Sequence, residues 1–102
     1  MSVMFFGDTI SIKCYFKDKD ENNIDPTDIV VTIYGYPEYE ILETITDTTR
    51  EEAGIYEAKY VFPDIKPINT KDYVIEWRGM YEGSPALSRE KVTVRTTRWV
   101  YQ

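Results

Sequence analysis

The residues of this 102-residue sequence best equipped for chemistry are its carboxylates: eighteen Asp and Glu stand against twelve Lys and Arg, with no histidine. Paired carboxylates act as acid and base in glycoside hydrolysis. Two clusters are close enough in sequence to be tried in that role: Asp18, Asp20 and Glu21 in one turn, and Glu51 with Glu52 in another. Neither lies in an apolar run that would strip water from a carboxyl and raise its pKa. The absence of histidine removes the commonest general base and metal ligand. Asp18-x-Asp20-x-Asn22 has the oxygen spacing that opens a calcium loop, but the glycine and the distant bidentate glutamate of an EF-hand are missing, so the stretch reads as a solvated turn. Cys14 is the single cysteine and has no intrachain partner. Its place in the alternation Ile10, Ile12, Cys14, Phe16 reads as a small core hydrophobe. The sequence therefore predicts a protein that is not an enzyme and uses no cofactor or metal.

The aromatic residues point elsewhere. Nine tyrosines and two tryptophans exceed what one small core absorbs. Period-two alternation sends Tyr15 and Tyr34 outward, and turns carry Tyr36, Tyr39 and Tyr81. Exposed tyrosine suits binding surfaces, because it offers large contact area with few rotors to freeze. The same residues also line sheet faces by β-propensity alone, and a sugar-binding patch has the same composition. Both ends of the chain are apolar: Met4, Phe5 and Phe6 precede the first strand, and Trp99, Val100 and Tyr101 follow the last, separated from it by Thr96, Thr97 and Arg98. Such ends dock on a partner or a neighbouring copy, or pack back on their own domain as added edge strands. In either case Trp99 is expected to be buried.

The elements that position these residues are strands. Gly54 to Phe62 alternates so that Tyr56, Ala58, Tyr60 and Phe62 share a face, and Tyr73, Ile75 and Trp77 do the same ten residues on. Thr9–Phe16 forms the first clear strand. Ile29–Tyr36, rich in β-branched residues, is expected at the centre of a sheet. Tyr39–Thr46 is only half apolar and is expected at an edge. Residues 47–54 read as a connection, 64–71 as a proline-containing loop crossing between sheets, Asp72–Gly79 as a strand, Met80–Gly83 as a hairpin tip and Ala86–Arg95 as its return. No segment has helical periodicity. The prediction is a single all-β domain, an antiparallel sandwich of about seven strands, spanning 1–102 with short apolar extensions at 1–6 and 96–102.

The net charge of −6 argues against nucleic acid as a partner. The basic run Arg89, Lys91, Arg95 and Arg98 either steers contacts between copies or forms a solvated face. The six-residue apolar N-terminus has no basic residues and no cleavage site, so no signal peptide is expected. No apolar run approaches the roughly 20 residues that span a bilayer. The expectation is a soluble product made in a cytoplasm, with no membrane partner.

The succession Gly7-Asp8-x-Ile10-x-Ile12, Phe16-Lys17-Asp18-Lys19-Asp20, Asp25-Pro26-Thr27, Thr32-Ile33-Tyr34, Gly54-x-Tyr56-x-x-x-Tyr60, Tyr73-x-x-x-Trp77-x-Gly79 and Ser88-Arg89-Glu90 resembles small immunoglobulin-like domains. Such domains stand alone among the structural proteins of tailed bacteriophages and occur as modules in bacterial surface proteins. The resemblance covers roughly residues 7 to 95 and lacks the cysteine pair of antibody domains and the tryptophan between them. It implies an immunoglobulin-like sandwich and a structural role in a virion, at the capsid surface, neck or tail. Its partners would be other virion proteins or copies of itself, bound through Met4, Phe5, Phe6, Tyr34, Tyr36, Tyr39, Tyr81, Arg98, Trp99 and Tyr101. The alternative is a carbohydrate-binding or host-surface adhesion module that stacks a surface glycan on Tyr34, Tyr36 and Tyr81.

Overall fold

A computed structural model of the chain describes residues 4–63 and 70–95. Eight strands follow in order: β1 (Met4–Phe5), β2 (Thr9–Tyr15), β3 (Thr27–Gly35), β4 (Ile41–Ile45), β5 (Thr49–Glu52), β6 (Ile55–Val61), β7 (Thr70–Tyr81) and β8 (Ser84–Arg95). They form two sheets, a larger one of order β1-β8-β7-β3-β4 and a smaller one of order β2-β6-β5. Every pairing is antiparallel except that of the two-residue β1, which runs parallel to β8 with Met4 opposite Val94. Without β1 the molecule has the expected seven antiparallel strands, four against three.

The core lies between the sheets. Alternation along each strand sends Ile12 and Cys14 of β2, Val31 and Ile33 of β3, Tyr56 and Ala58 of β6, Tyr73, Ile75 and Trp77 of β7, and Val92 and Val94 of β8 into it. The aromatic-faced strands are thus the two sides of one layer. Phe16 sets its ring edge-on to both Tyr56 (5.8 Å) and Trp77 (6.3 Å), and Phe62 lies 4.6 Å from Tyr73, separations at which aromatic pairs attract beyond their buried area. β3 is central, flanked by β7 and β4, and β4 is the outer strand.

Two elements differ from the sequence reading. Residues 47–54 contain β5, whose Thr49, Arg50, Glu51 and Glu52 are all exposed and so show no apolar alternation. The strand exists because β6 pairs with it through a two-residue turn at Ala53–Gly54. Gly54 has φ +77, and a Cβ there would lie 2.9 Å from the Phe16 carbonyl oxygen and from Asn23 Cβ, so only glycine fits. The second difference is the β7–β8 hairpin, which is longer than expected. Its pairing runs unbroken from Thr70↔Arg95 to Tyr81↔Ser84. Glu82 (φ 50) and Gly83 (φ 80) alone make the turn, a type I′ geometry that matches strand twist. Pro85 lies inside β8, where the open side of an outer strand tolerates its missing N–H. The 64–71 loop falls largely on residues 64–69, outside the described residues, but its flanking strands β6 and β7 do belong to different sheets.

Candidate interaction surface

The outer face of the larger sheet gathers three of the expected tyrosines. Because Val31 and Ile33 point inward, Thr32 and Tyr34 of β3 point outward. Register places Tyr34 between Ile41 of β4 and Val74 of β7, and Val74 opposite Lys91 of β8. At the end of β3 the chain turns through Tyr36, Pro37 and Glu38. Tyr39 N donates to the Gly35 carbonyl, and Gly35 N donates to that of Glu40. This tight return brings the Tyr39 ring within 6.0 Å of both Tyr34 and Tyr36, edge-on to each. Lys91 Nζ stands 4.7 Å from the Tyr36 ring centroid, in cation–π range. Ile41 is 66% exposed beside them. The patch is therefore aromatic and aliphatic, with a cation fixed at its rim.

Beneath it lies a buried carboxylate. Glu76 is 3% exposed and is flanked in register by Thr32 and Arg89. Arg89 Nε donates to Glu76 Oε2 at 2.7 Å, and the Tyr34 hydroxyl donates to Oε1 at 3.3 Å. The bond and charge of Glu76 raise the Arg89 pKa above its ordinary value. Next along the face, Asp72 accepts from Thr93 Oγ1 at 2.7 Å and lies 3.9 Å from Lys91 Nζ. Arg89 and Lys91 of the expected basic run thus face carboxylates of their own sheet, while Arg98 lies outside the described residues. Sequence reading missed Glu76 as a partner because it depends on the exact hairpin turn. Once Glu82–Gly83 is known to be the turn, Glu76 must face Arg89.

The remaining expected residues are not brought to this patch. Tyr81 lies seven residues beyond Val74 on β7, about 23 Å away along the strand. It is half-buried against the core. Phe6 is 4% exposed in the domain's own core. Its N–H donates to the Arg95 carbonyl, so the expectation that Phe6 meets a partner gives way to a core role. Phe5, in the strand that packs back on β8, is half-buried. Met4 shares that strand through its backbone. Arg98, Trp99 and Tyr101 lie outside the described residues.

The Asp18 carboxylate of the first acidic cluster holds its own turn, and Glu51 of the second pairs with Lys13 at 3.1 Å. Asp18 Oδ1 accepts from the backbone N–H groups of Asp20 and Asn22, which lowers its pKa and folds the turn on itself. Asp25, which the sequence marked only as a bend before Pro26, is a hub. It accepts from Arg50 Nε (3.1 Å) and Nη2 (3.2 Å), from Gly54 N (2.9 Å) and from the Tyr56 hydroxyl (3.1 Å). The Arg50 bonds first, then Gly54 and Tyr56, bring its pKa down to about 2. Asp25 thereby ties the segment entering β3 to the β5–β6 hairpin. No spacing rule links these residues, which are joined only across the sandwich. Cys14 is buried, and burial pushes its thiol pKa up. Among the described residues no three acidic or sulfur ligands gather to hold a metal ion.

No protein-family model matches this chain, and neither the curated proteins nor the solved structures searched contain a match.

Proposed function

We propose that this chain is an immunoglobulin-like contact module, a non-enzymatic structural protein of a tailed-bacteriophage virion that binds other virion proteins through the outer face of its larger sheet. The observation that carries the reading is the Tyr34–Tyr36–Tyr39 cluster beside exposed Ile41, in which Tyr34 stands on the central strand and is held by Glu76, itself paired with Arg89, and Tyr36 and Tyr39 pack around it from the turn that follows. Rigid aromatic surface of this kind suits protein contact, since little side-chain entropy is lost on binding.

Strand order supports the immunoglobulin-like part. The second, fifth and sixth strands form one sheet and the third, fourth, seventh and eighth the other. This is the B-E-D against G-F-C division of immunoglobulin domains, with the fourth strand paired to the third as an added C′ strand. Tyr73, fully buried at the start of the seventh strand, stands where those sandwiches carry a corner tyrosine. Its hydroxyl finds no partner among the described residues. The roughly 23 Å between Tyr81 and Tyr34 removes Tyr81 from any shared sugar platform, and this favours protein over glycan as the partner.

The test is mass spectrometry of purified particles made with the genome that encodes the chain, for wild type and for Tyr36→Ala/Tyr39→Ala. The reading expects the wild-type chain in stoichiometric copies and the double variant, folded but unincorporated, in the soluble fraction. Particles without the wild-type chain overturn the virion role, and normal incorporation of the double variant overturns the tyrosine face.

A further inference from the structure

The aromatic cluster occupies only one half of the larger sheet's outer face. Tyr73, Ile75, Trp77 and Gly79 of β7 are buried inward, so the alternate residues Asp72, Val74, Glu76, Arg78 and Met80 point outward. Register sets Arg78 between Leu87 of β8 and Val30 of β3, and Met80 opposite Pro85. Arg78 stands four residues past Val74, the neighbour of Tyr34, so about 13 Å of strand separates it from the tyrosine cluster. Leu87 is 51% exposed and Met80 38%, and Val30 is half-buried. The hairpin half of the face is therefore an apolar ring around one exposed guanidinium.

That guanidinium is placed unlike its neighbours. Arg89 donates its Nε–H to Glu76, and Lys91 Nζ lies 3.9 Å from Asp72 and 4.7 Å from the Tyr36 ring. Arg78 belongs to no ion pair among the described residues. The next outward carboxylate on its own strand, Glu76, already accepts from Arg89 and Tyr34. The outward positions of β7 and β8 hold four cations, Arg78, Arg89, Lys91 and Arg95, against two carboxylates, Asp72 and Glu76. This part of the face is thus locally basic on a chain of net charge −6. Screening over about 8 Å at physiological ionic strength makes an approaching partner feel the nearest charges rather than the net charge. Two copies laid face to face would set cations against cations, which argues against this chain as its own occupant.

We infer that the hairpin half of this face seats an acidic protein surface other than a second copy, with a partner carboxylate on Arg78 and partner apolar side chains on Leu87, Met80 and Val30. The inference rests on the reading of the outer face as a contact surface and adds the chemistry of what it contacts. A planar guanidinium meets a carboxylate with two parallel N–H donors. The apolar ring excludes water once covered, and this strengthens the charged pair at its centre. The tyrosine cluster and Arg78 fall within the footprint of one standard interface of about 800 Å² per partner. The cluster supplies contact area and Arg78 the choice of partner, because a basic or neutral surface would cover the guanidinium without pairing it.

The test uses a labelled random copolymer of glutamate and tyrosine as the probe, titrated with the full-length chain at physiological ionic strength and followed by fluorescence anisotropy. Wild type is expected to bind it, more weakly as salt rises. Arg78→Glu should weaken binding by roughly tenfold or more, and Leu87→Ser by about threefold, both with unchanged circular dichroism. Should Arg78→Glu disturb the fold, Arg78→Gln replaces it. Amide shifts on titration should centre on Arg78 and Leu87. No binding by wild type, binding that Arg78→Glu leaves intact, or shifts centred elsewhere each overturns the inference. Equal binding of polygalacturonate overturns it in favour of an acidic glycan. Wild-type dimers in sedimentation velocity that Arg78→Glu dissolves overturn it in favour of a second copy. Particles that lack the wild-type chain overturn the virion role whatever the copolymer does, so the two failures are distinct.

Discussion

At the scale of single residues, two carboxylates hold the sandwich together in different ways: Asp25 ties the segment entering β3 to the β5–β6 hairpin of the other sheet, and Glu76 links β3, β7 and β8 within the larger sheet. Asp25 is charged throughout the neutral range, and its depressed folded pKa sets the sign of its pH dependence. The stabilisation is complete above the unfolded aspartate pKa of about 3.9 and is lost as pH falls from there towards the folded value of about 2. Urea unfolding between pH 2 and 7 should show wild type losing stability across that acid window. Asp25→Asn should start less stable at pH 7 and lose less over the same window. Glu76 has the opposite exposure. Its partner Arg89 is mostly exposed while Glu76 itself is buried, so Arg89→Ala leaves a desolvated charge without its cation. A cost on the order of 1–3 kcal/mol follows. Glu76→Gln should cost less, because its amide oxygen still accepts from Arg89 and its NH2 can donate to the Tyr34 hydroxyl oxygen, without a buried charge. Chemical denaturation of the two variants at pH 7 decides the order, and equal losses would contradict it.

At the scale of elements, turns decide what the strands can do. The β7–β8 turn places Glu82 at φ 50, a left-handed conformation that asparagine adopts more readily than glutamate. Glu82→Asn should therefore raise stability by about 0.5 kcal/mol, read as a higher thermal midpoint with no change in spectrum. Gly54→Ala should do the reverse and more strongly. It combines positive φ with a Cβ 2.9 Å from backbone oxygen, and it displaces the N–H that Asp25 accepts. A loss of more than about 1 kcal/mol is expected, and thermal melts of the two variants should move in opposite directions. The open edges also belong to this scale. β4 is short and begins with exposed Ile41 and Leu42, and β8 is long and, among the described residues, is paired on its outer side only by β1, so the two flanks differ.

At the scale of the whole molecule, the sandwich is an elongated body, 53 × 26 × 23 Å. The tyrosine patch lies towards the end where β1 and Arg95 meet. Solvent accessibility of Trp77 provides a check at this scale. It is 2% exposed between the sheets, so its fluorescence should resist acrylamide quenching in the native protein.

The sequence by itself determined the all-β class, the inward sets on β2, β3, β6 and β7, the central place of β3 and the weak edge at β4. Each of these follows from period-two alternation and β-branched composition, which act within a few residues. It also marked Tyr34 as outward for the same reason, and placed Tyr36 and Tyr39 in turns. It carried no sign of β5, whose exposed polar residues are strand only because β6 pairs with them, nor of the Asp25 hub or the Glu76–Arg89 pair, and it left open whether Phe6 packs on its own domain or on a partner. Those depend on which strands become neighbours and in what register. The Glu76–Arg89 pair needs the exact β7–β8 register, and the contacts of Asp25 with Tyr56 and of Phe6 with Arg95 form only when distant strands close on one core. Tertiary structure therefore decided which charges are partners, which aromatics are surface and which edges remain open.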